Sequence, residues 1–356
     1  MIDYLVVGCG LAGISFCEVL ERNGKSFHMV SDNSQQASWV AGGLYNPVIL
    51  KRFTMAWNAR EQMEIAMPFY QKLEEKLKVK LDYKLQVLRL FASVEEQNSW
   101  FEAADKPGLG YFLSMDIQQN GNPNLQAPFG FGEVLYTGRV DTRTLLKAYS
   151  DYLTKKGRFA HETLDFSHLR TNTDHITYKS ILSKQIVFAD GYGLKNNPFF
   201  KYLPLNGTKG ELLTIKAPEL KEKSVIKSSV FIIPLGEDLY RVGATYKWKD
   251  KTNEPTQASK DELLTKLKTF LKCEFEVVDH VAGVRPTVVD RRPLVGKHPV
   301  YENLYGLNGF GSRGVLIAPY AAGQLFNFIE NDTPIDPEMD LERFTSKCYQ
   351  EASLSS

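Results

Sequence analysis

The chain predicts an α/β protein, α+β overall, on three observations. An apolar strand at Tyr4–Val7 runs through a glycine-rich turn into an amphipathic helix. A second glycine-rich turn, also set between a strand and a helix, lies near the far end at 309–314. Between them, residues 84–140 and 205–247 break into short strand-like pieces separated by Gly-, Pro- and Asn-rich turns.

Each element follows from its residues. Tyr4-Leu-Val-Val7 is continuously apolar, as a parallel strand buried on both faces requires. Leu11, Ile14, Val19 and Leu20 supply the apolar positions of the next helix, and Asn23-Gly24 closes it. Ser26–Val30 is the second strand, completing a βαβ unit. Residues 33–56 read as loop, and Ala59–Lys78 as a helix carrying Met63, Ala66, Met67, Tyr70 and Leu73 near 3.6 spacing. A helix is predicted over Asp141–Lys156 and a buried strand over Ile186–Gly191. Strands follow at Glu211–Ile215, Val230–Pro234 and Tyr240–Thr245. A helix is placed at Ser259–Leu271, a strand at Leu304–Leu307 and a helix at Val315–Ile329.

Composition narrows the function classes. The chain has 356 residues, enough for one large or two interleaved domains. Lys and Arg total 43 against 42 Asp and Glu, a net charge of +1 that does not suit a chain built to grip nucleic acid or an anionic membrane. The four cysteines (Cys9, Cys17, Cys273, Cys348) form no CxxC and share no ligand spacing with the six histidines, so neither a disulfide scaffold nor a metal site is expected. No signal-peptide pattern precedes Tyr4 and no apolar run reaches membrane-spanning length, so a cytoplasmic protein without a membrane span is expected.

Gly8-x-Gly10-x-x-Gly13 carries the clearest chemistry. Gly8 permits the tight turn, Gly10 lets a pyrophosphate reach the backbone, and Gly13 packs helix on strand. The helix N-terminus then offers amides and its positive dipole end to phosphate. Dinucleotide binding is the reading that this strand–turn–helix context supports. Asp32, closing the second strand after Ser31, is placed to accept from ribose hydroxyls or else to cap the next turn. Arg285, between a glycine-valine pair and Pro286, either clamps a substrate carboxylate or pairs internally with Asp290 or a carboxylate of the substrate domain. Gly309-Phe-Gly-Ser-Arg-Gly314 offers amides to an anion or an electron-rich oxygen, or is simply a turn. Lys247-Trp-Lys-Asp-Lys251 reads as a solvated loop.

Several blocks in order resemble a known family, the FAD-dependent D-amino acid oxidase/glycine oxidase/sarcosine oxidase group. They are Gly8–Gly13, Ser38–Leu44, Gly138-Arg-Val-Asp141, Val187–Gly191, Lys209-Gly-Glu211, Val242–Thr245, Gly283-Val-Arg-Pro286 with Pro293–Gly296, and Gly309–Pro319. The last blocks also resemble the oxidase half of the bifunctional enzyme that modifies the tRNA wobble uridine. The resemblance implies a Rossmann-like FAD-binding domain, of the glutathione-reductase type, built from 1–45, 138–200 and 281–350. A mixed-sheet substrate domain, 46–137 and 201–280, is inserted between these segments.

It also implies roles for residues. Gly8, Gly10, Leu11, Ala12 and Gly13 would hold the pyrophosphate, with Ser31 (where the family has a ribose-binding Glu) and Asp32 at the ribose. Leu164 would lie near the adenine, with Ala189 and Gly191 near the dinucleotide. Ser38, Ala41, Gly42, Gly43 and Leu44 would pass the flavin ring, and Gly309, Gly311, Ser312, Arg313, Gly314 and Val315 would face its O2 side. Arg285 matches the family's carboxylate-binding arginine, and Arg313 is the second candidate catalytic residue. Phe231 stands where glycine oxidase has a tyrosine. No cysteine matches the covalent flavin attachment of sarcosine oxidases, so FAD is expected to be non-covalent. The implied reaction oxidises the C–N bond of a small amine or amino acid by hydride transfer to flavin N5, with oxygen or another carrier as electron acceptor. The alternatives are oxidative removal of carboxymethyl from a tRNA wobble-uridine side chain, with tRNA as partner, and a non-catalytic dinucleotide-binding protein.

Overall fold

The computed structural model describes residues 1–32 and 34–345. Residues 346–350 of the expected first domain, and Cys348 with them, lie outside the described residues.

The first strand, β1 (Ile2–Val7), sits centrally in an eight-stranded sheet. It pairs in parallel with β2 (Phe27–Ser31) on one side, Tyr4 opposite Phe27, and with Ile181–Phe188 on the other, Leu5 opposite Ile186. Phe159–His161 extends the sheet beyond β2, and Leu304–Asn308 runs parallel to Ile181–Phe188. The apolar run of β1 divides by side-chain direction. Tyr4 and Val6 enter a core shared with the helices, whereas Leu5 and Val7 enter the opposite core with Val30, Phe188 and Leu203.

Helix α1 (Leu11–Arg22) follows β1 and ends as read from Asn23-Gly24: Asn23 is its C-cap, and Gly24 takes φ +67°. It packs chiefly on the helix Gly314–Asn331, so the two glycine-rich turns from opposite ends of the chain lie on neighbouring helices. The helix Thr142–Lys155 is capped by Asp141, whose side chain accepts from the Thr144 amide.

A second eight-stranded sheet draws on separate stretches of chain. Its order is Glu276–Arg285, Thr208–Lys216, Leu239–Gly243, Phe231–Gly236, Val225–Lys227, Val87–Leu90, Phe131–Val134, Leu113–Gln118. The strand Glu276–Arg285 runs across the boundary expected between 280 and 281. Gln257–Leu267 covers one face over Leu213, Ile215, Ile232 and Val242.

One correction concerns residues 84–140, read as strand pieces throughout. Val94–Ala104 is a helix. Its apolar stripe is thin, burying Trp100, Ala103 and Ala104, so periodicity alone misses it. The signal present is its start: the Ser93 hydroxyl accepts from the Glu96 amide, and the Glu96 carboxylate accepts from the Ala92 amide.

Candidate active site

A cavity of about 760 Å³ runs from the βαβ turn to the inner face of the second sheet. Its two ends are built differently.

At the first end the wall is backbone. Gly8 has φ +105°, and a Cβ there would overlap the Ala189 carbonyl; a Cβ on Gly13 would overlap the carbonyl of Gly8. Strand, turn and helix therefore close to a distance that only glycine allows. Gly10 is the N-cap of α1 and gives no side-chain cap, while the Leu11 amide donates to Ser38 Oγ at 3.2 Å. Gly10, Leu11 and Ala12 line the cavity, presenting first-turn amides and the positive end of the helix dipole. Ser31 and Asp32 line it at the tip of β2, with Leu164, Ala189 and Gly191 nearby. The Asp32 carboxylate accepts from the Ser34 amide at 2.9 Å and Thr163 Oγ1 at 2.8 Å. Burial would raise its pKa, but these hydrogen bonds outweigh burial and hold it below the ordinary carboxylate value.

Asp190, not singled out among the residues of its block, ties the turn after Ile181–Phe188 to the start of the second glycine-rich turn. Its carboxylate accepts from Asn197 Nδ2 at 3.1 Å and Asn308 Nδ2 at 3.0 Å, and Asn308 Oδ1 accepts from the Gly309 amide at 2.8 Å. Burial pushes the Asp190 carboxyl up to about 6 despite those donors.

The middle of the cavity is lined by Ser38, Ala41, Gly42, Gly43 and Leu44 on one side. Gly311, Ser312, Gly314 and Val315 line the other. Gly13, Gly309 and Arg313 do not line it. Gly13 and Gly309 (φ +82°) instead allow close packing behind the wall, the latter against Val288 and Leu294. Arg313 turns its guanidinium to the carbonyl of Asn46, Nη1 to O 3.2 Å, so it braces the segment after Leu44.

At the far end the wall is side chains on the second sheet, Leu212, Lys227, Phe231 and Arg285, with Ala244 and Tyr246 from the segment after Leu239–Gly243. Arg285 ends the strand Glu276–Arg285 and folds its guanidinium over Gly210 of the neighbouring strand, where any Cβ would collide with it. Nη1 donates to the Thr245 carbonyl at 3.3 Å, and the guanidinium stacks 4.4 Å from the centre of the Tyr246 ring. Burial lowers its pKa, and among the described residues no carboxylate pairs with it. Asp290, the internal partner considered from the sequence, is held by Arg343 at 2.9 Å instead. Gly210, Lys227 and Tyr246 were not recognised as site residues; only the Lys209-Gly-Glu211 block pointed at the first.

Residues 3–326 match the family described as FAD dependent oxidoreductase (DAO). The chain is similar to glycine oxidase of Bacillus subtilis, 25% identical over 214 residues, which are 57% of this chain and 58% of that one. It is similar to glycine oxidase of Pseudomonas aeruginosa, 22% identical over 371 residues, 94% of this chain and 96% of the other. It is also similar to the tRNA 5-methylaminomethyl-2-thiouridine biosynthesis bifunctional protein MnmC of Aromatoleum aromaticum, 28% identical over 185 residues. That stretch is 46% of this chain and only 29% of that protein. Among solved structures, glycine oxidase from Bacillus cereus superposes with a TM-score of 0.79 at 21% identity, over 96% of this chain and 100% of that one. Among the described residues no helix is long and apolar enough to cross a membrane. With nine-tenths of its length matched, the chain belongs to the DAO family of FAD-dependent oxidoreductases.

Proposed function

We propose that the protein oxidises the C–N bond of a small amino acid or N-substituted glycine. The observation that carries this is Arg285, a guanidinium in the cavity wall with a backbone carbonyl and an aromatic face as neighbours and, among the described residues, no carboxylate of its own. Such a group binds a substrate carboxylate through two parallel hydrogen bonds and so fixes the α-carbon. The glycine oxidases among the relatives support the same substrate class.

The residues of the first end fit FAD: amides at the α1 N-terminus for the pyrophosphate, and an ionised Asp32 for a ribose hydroxyl. FAD, when bound, supplies a two-electron acceptor. The chain's own contribution is positioning. Arg285 sets the carboxylate, while Leu212, Phe231 and Ala244 present apolar surface that keeps water from the reacting carbon. No carboxylate or histidine lines the second-sheet end among the described residues, which suits a substrate whose amine is already neutral when it reacts. The α-hydrogen leaves with two electrons, the amine proton passes to water, and the imine hydrolyses.

The test is an ultraviolet–visible spectrum of the holoenzyme during anaerobic addition of glycine, sarcosine and D-amino acids. Bleaching by one of them is expected. Arg285→Ala is then expected to raise KM about a hundredfold while leaving bound FAD unchanged; an unchanged KM sinks the assignment. The likeness to the bifunctional tRNA protein supports a second reading, action on a wobble-uridine side chain. Under it, unfractionated tRNA bleaches the flavin in a salt-sensitive manner and free amino acids do not.

A further inference from the structure

The second-sheet end of the cavity holds another cation, Lys227. Its strand, Val225–Lys227, pairs with Phe231–Gly236 so that Lys227 lies opposite Phe231, and Nζ sits 6.0 Å from the centre of the Phe231 ring. The ring tip in turn lies against Gly42 and Gly243 at the middle of the cavity. Lys227 is thus carried into the chamber that Arg285 enters from the edge strand Glu276–Arg285.

The neighbouring cations each have a carboxylate. Arg89 is paired with Glu96 at 2.5 Å, and Lys266 with Glu262 at 2.6 Å. Lys227 has no ion pair among the described residues; its backbone carbonyl only accepts from Arg89 Nη1 at 3.4 Å. Burial first, then the positive charges of Arg89 and Lys266, pull its pKa down to about 8. A half-buried ammonium among like charges is stabilised by an anion that arrives with the ligand.

The register fixes the spacing. The Arg285 guanidinium lies over Gly210 on the strand Thr208–Lys216, and the Lys227 ammonium lies near Phe231. Lys227's own strand lies three interstrand spacings from the Gly210 strand, with Leu239–Gly243 and Phe231–Gly236 between them, a span of roughly 14 Å between strand axes that the long Lys227 side chain can shorten. Allowing about 3 Å for the hydrogen bond at each end, a ligand whose two carboxylates are separated by several bonds bridges what remains.

We propose that Lys227 binds a second carboxylate of the substrate, so that the enzyme selects dicarboxylic amines over those with one carboxylate. Acidic amino acids and N-carboxymethyl amino acids are the classes that fit. This rests on the function proposed above and deepens it: Arg285 takes the α-carboxylate and Lys227 the distal one.

The test uses the FAD-loaded enzyme and two readouts. The first is perturbation of the flavin absorption band during titration with glutarate and with butyrate. The wild type is expected to bind glutarate at least 30-fold tighter, Lys227→Met to bring the two within threefold, and Lys227→Arg to keep most of the preference. The second is anaerobic bleaching by iminodiacetate and both enantiomers of aspartate and glutamate, set against glycine, sarcosine and D-alanine. Dicarboxylic compounds that bleach fastest, with Lys227→Met slowing them selectively, support the assignment. Equal response to both classes, or a preference unaffected in Lys227→Met, overturns it while leaving the proposed function intact. A flavin bleached by none of the compounds overturns both.

Discussion

The two ends of the cavity use opposite materials. The end proposed for the nucleotide is made of main chain: amides at the start of α1, and glycines at 8 and 13 whose missing Cβ atoms let carbonyls approach. The second-sheet end is made of side chains, Arg285, Lys227 and Phe231 on three strands and Tyr246 on the segment after Leu239–Gly243. A site of amides needs one short segment with fixed spacing, because the helix N-terminus supplies direction and charge together. A site of side chains depends on strand register, which sequence spacing does not express. Substitutions at the first end are therefore expected to cost the cofactor, and at the second to cost the substrate while the cofactor stays.

The largest effect is expected from Gly8→Val. A branched side chain at φ +105°, pressed on the Ala189 carbonyl, has to push strand and turn apart. FAD affinity is expected to fall by about a thousandfold or more, with the protein purifying colourless. Retention of a full complement of FAD would break the contrast at its stronger end.

Next in size is a pH effect confined to the sheet behind the nucleotide end. His298 is buried; its Nδ1 accepts from the amides of Val300 and Tyr301, and Nε2 meets the Phe199 carbonyl. A proton on Nδ1 would face two donors, and burial lowers the pKa from 6.5 to about 4, outweighing the Phe199 contact that raises it. The unfolded chain takes up the proton first. Stability is thus fully present above pH 6.5 and is lost as pH falls toward 4, by about 3 kcal/mol. His298→Gln is expected to flatten that slope in thermal melts between pH 4 and 7; a parallel slope in the variant assigns the effect elsewhere.

Gly210→Ala sharpens the other half. Its Cβ would displace the Arg285 guanidinium without touching the nucleotide end. KM for the bleaching substrate is expected to rise about tenfold at unchanged FAD content. Loss of FAD in this variant would show that the two ends are coupled rather than separate.

The contrast also accounts for what the sequence revealed. The βαβ unit, its Gly24 stop and the capped helix after Asp141 were legible because each is set by contacts within a few residues. Arg285 was legible as a candidate, but its partner was not: whether it met Asp290 depended on Arg343, far along the chain, taking that carboxylate. Lys227 carried no motif at all. It becomes a site residue only because a short hairpin sets it opposite Phe231 and the sheet turns both into the cavity. The same holds for Asp190, whose role depends on Asn308 more than a hundred residues away. The helix Val94–Ala104 was missed for a local reason, since its Ser93-x-x-Glu96 cap signal was there to be read.

The smallest effect concerns Phe231, the position for which the family resemblance implies a tyrosine in glycine oxidase. If that hydroxyl were a substrate contact transferable to this wall, Phe231→Tyr would lower KM several-fold, as one added hydrogen bond to a carboxylate does. The geometry argues otherwise. The ring tip already lies close to the Cβ positions of Gly42 and Gly243, so an oxygen on Cζ enters a space that those glycines leave barely open. The Lys227 ammonium, 6.0 Å from the ring centre, offers charge on the same side of the sheet. The expected outcome is therefore a change in KM of less than threefold in either direction, read from steady-state kinetics on the substrate that bleaches the flavin. A decrease of tenfold or more would mean that carboxylate binding at this end is shared between Arg285 and the position of residue 231. The wall would then need to be redrawn with the α-carboxylate nearer the Phe231 strand than Gly210.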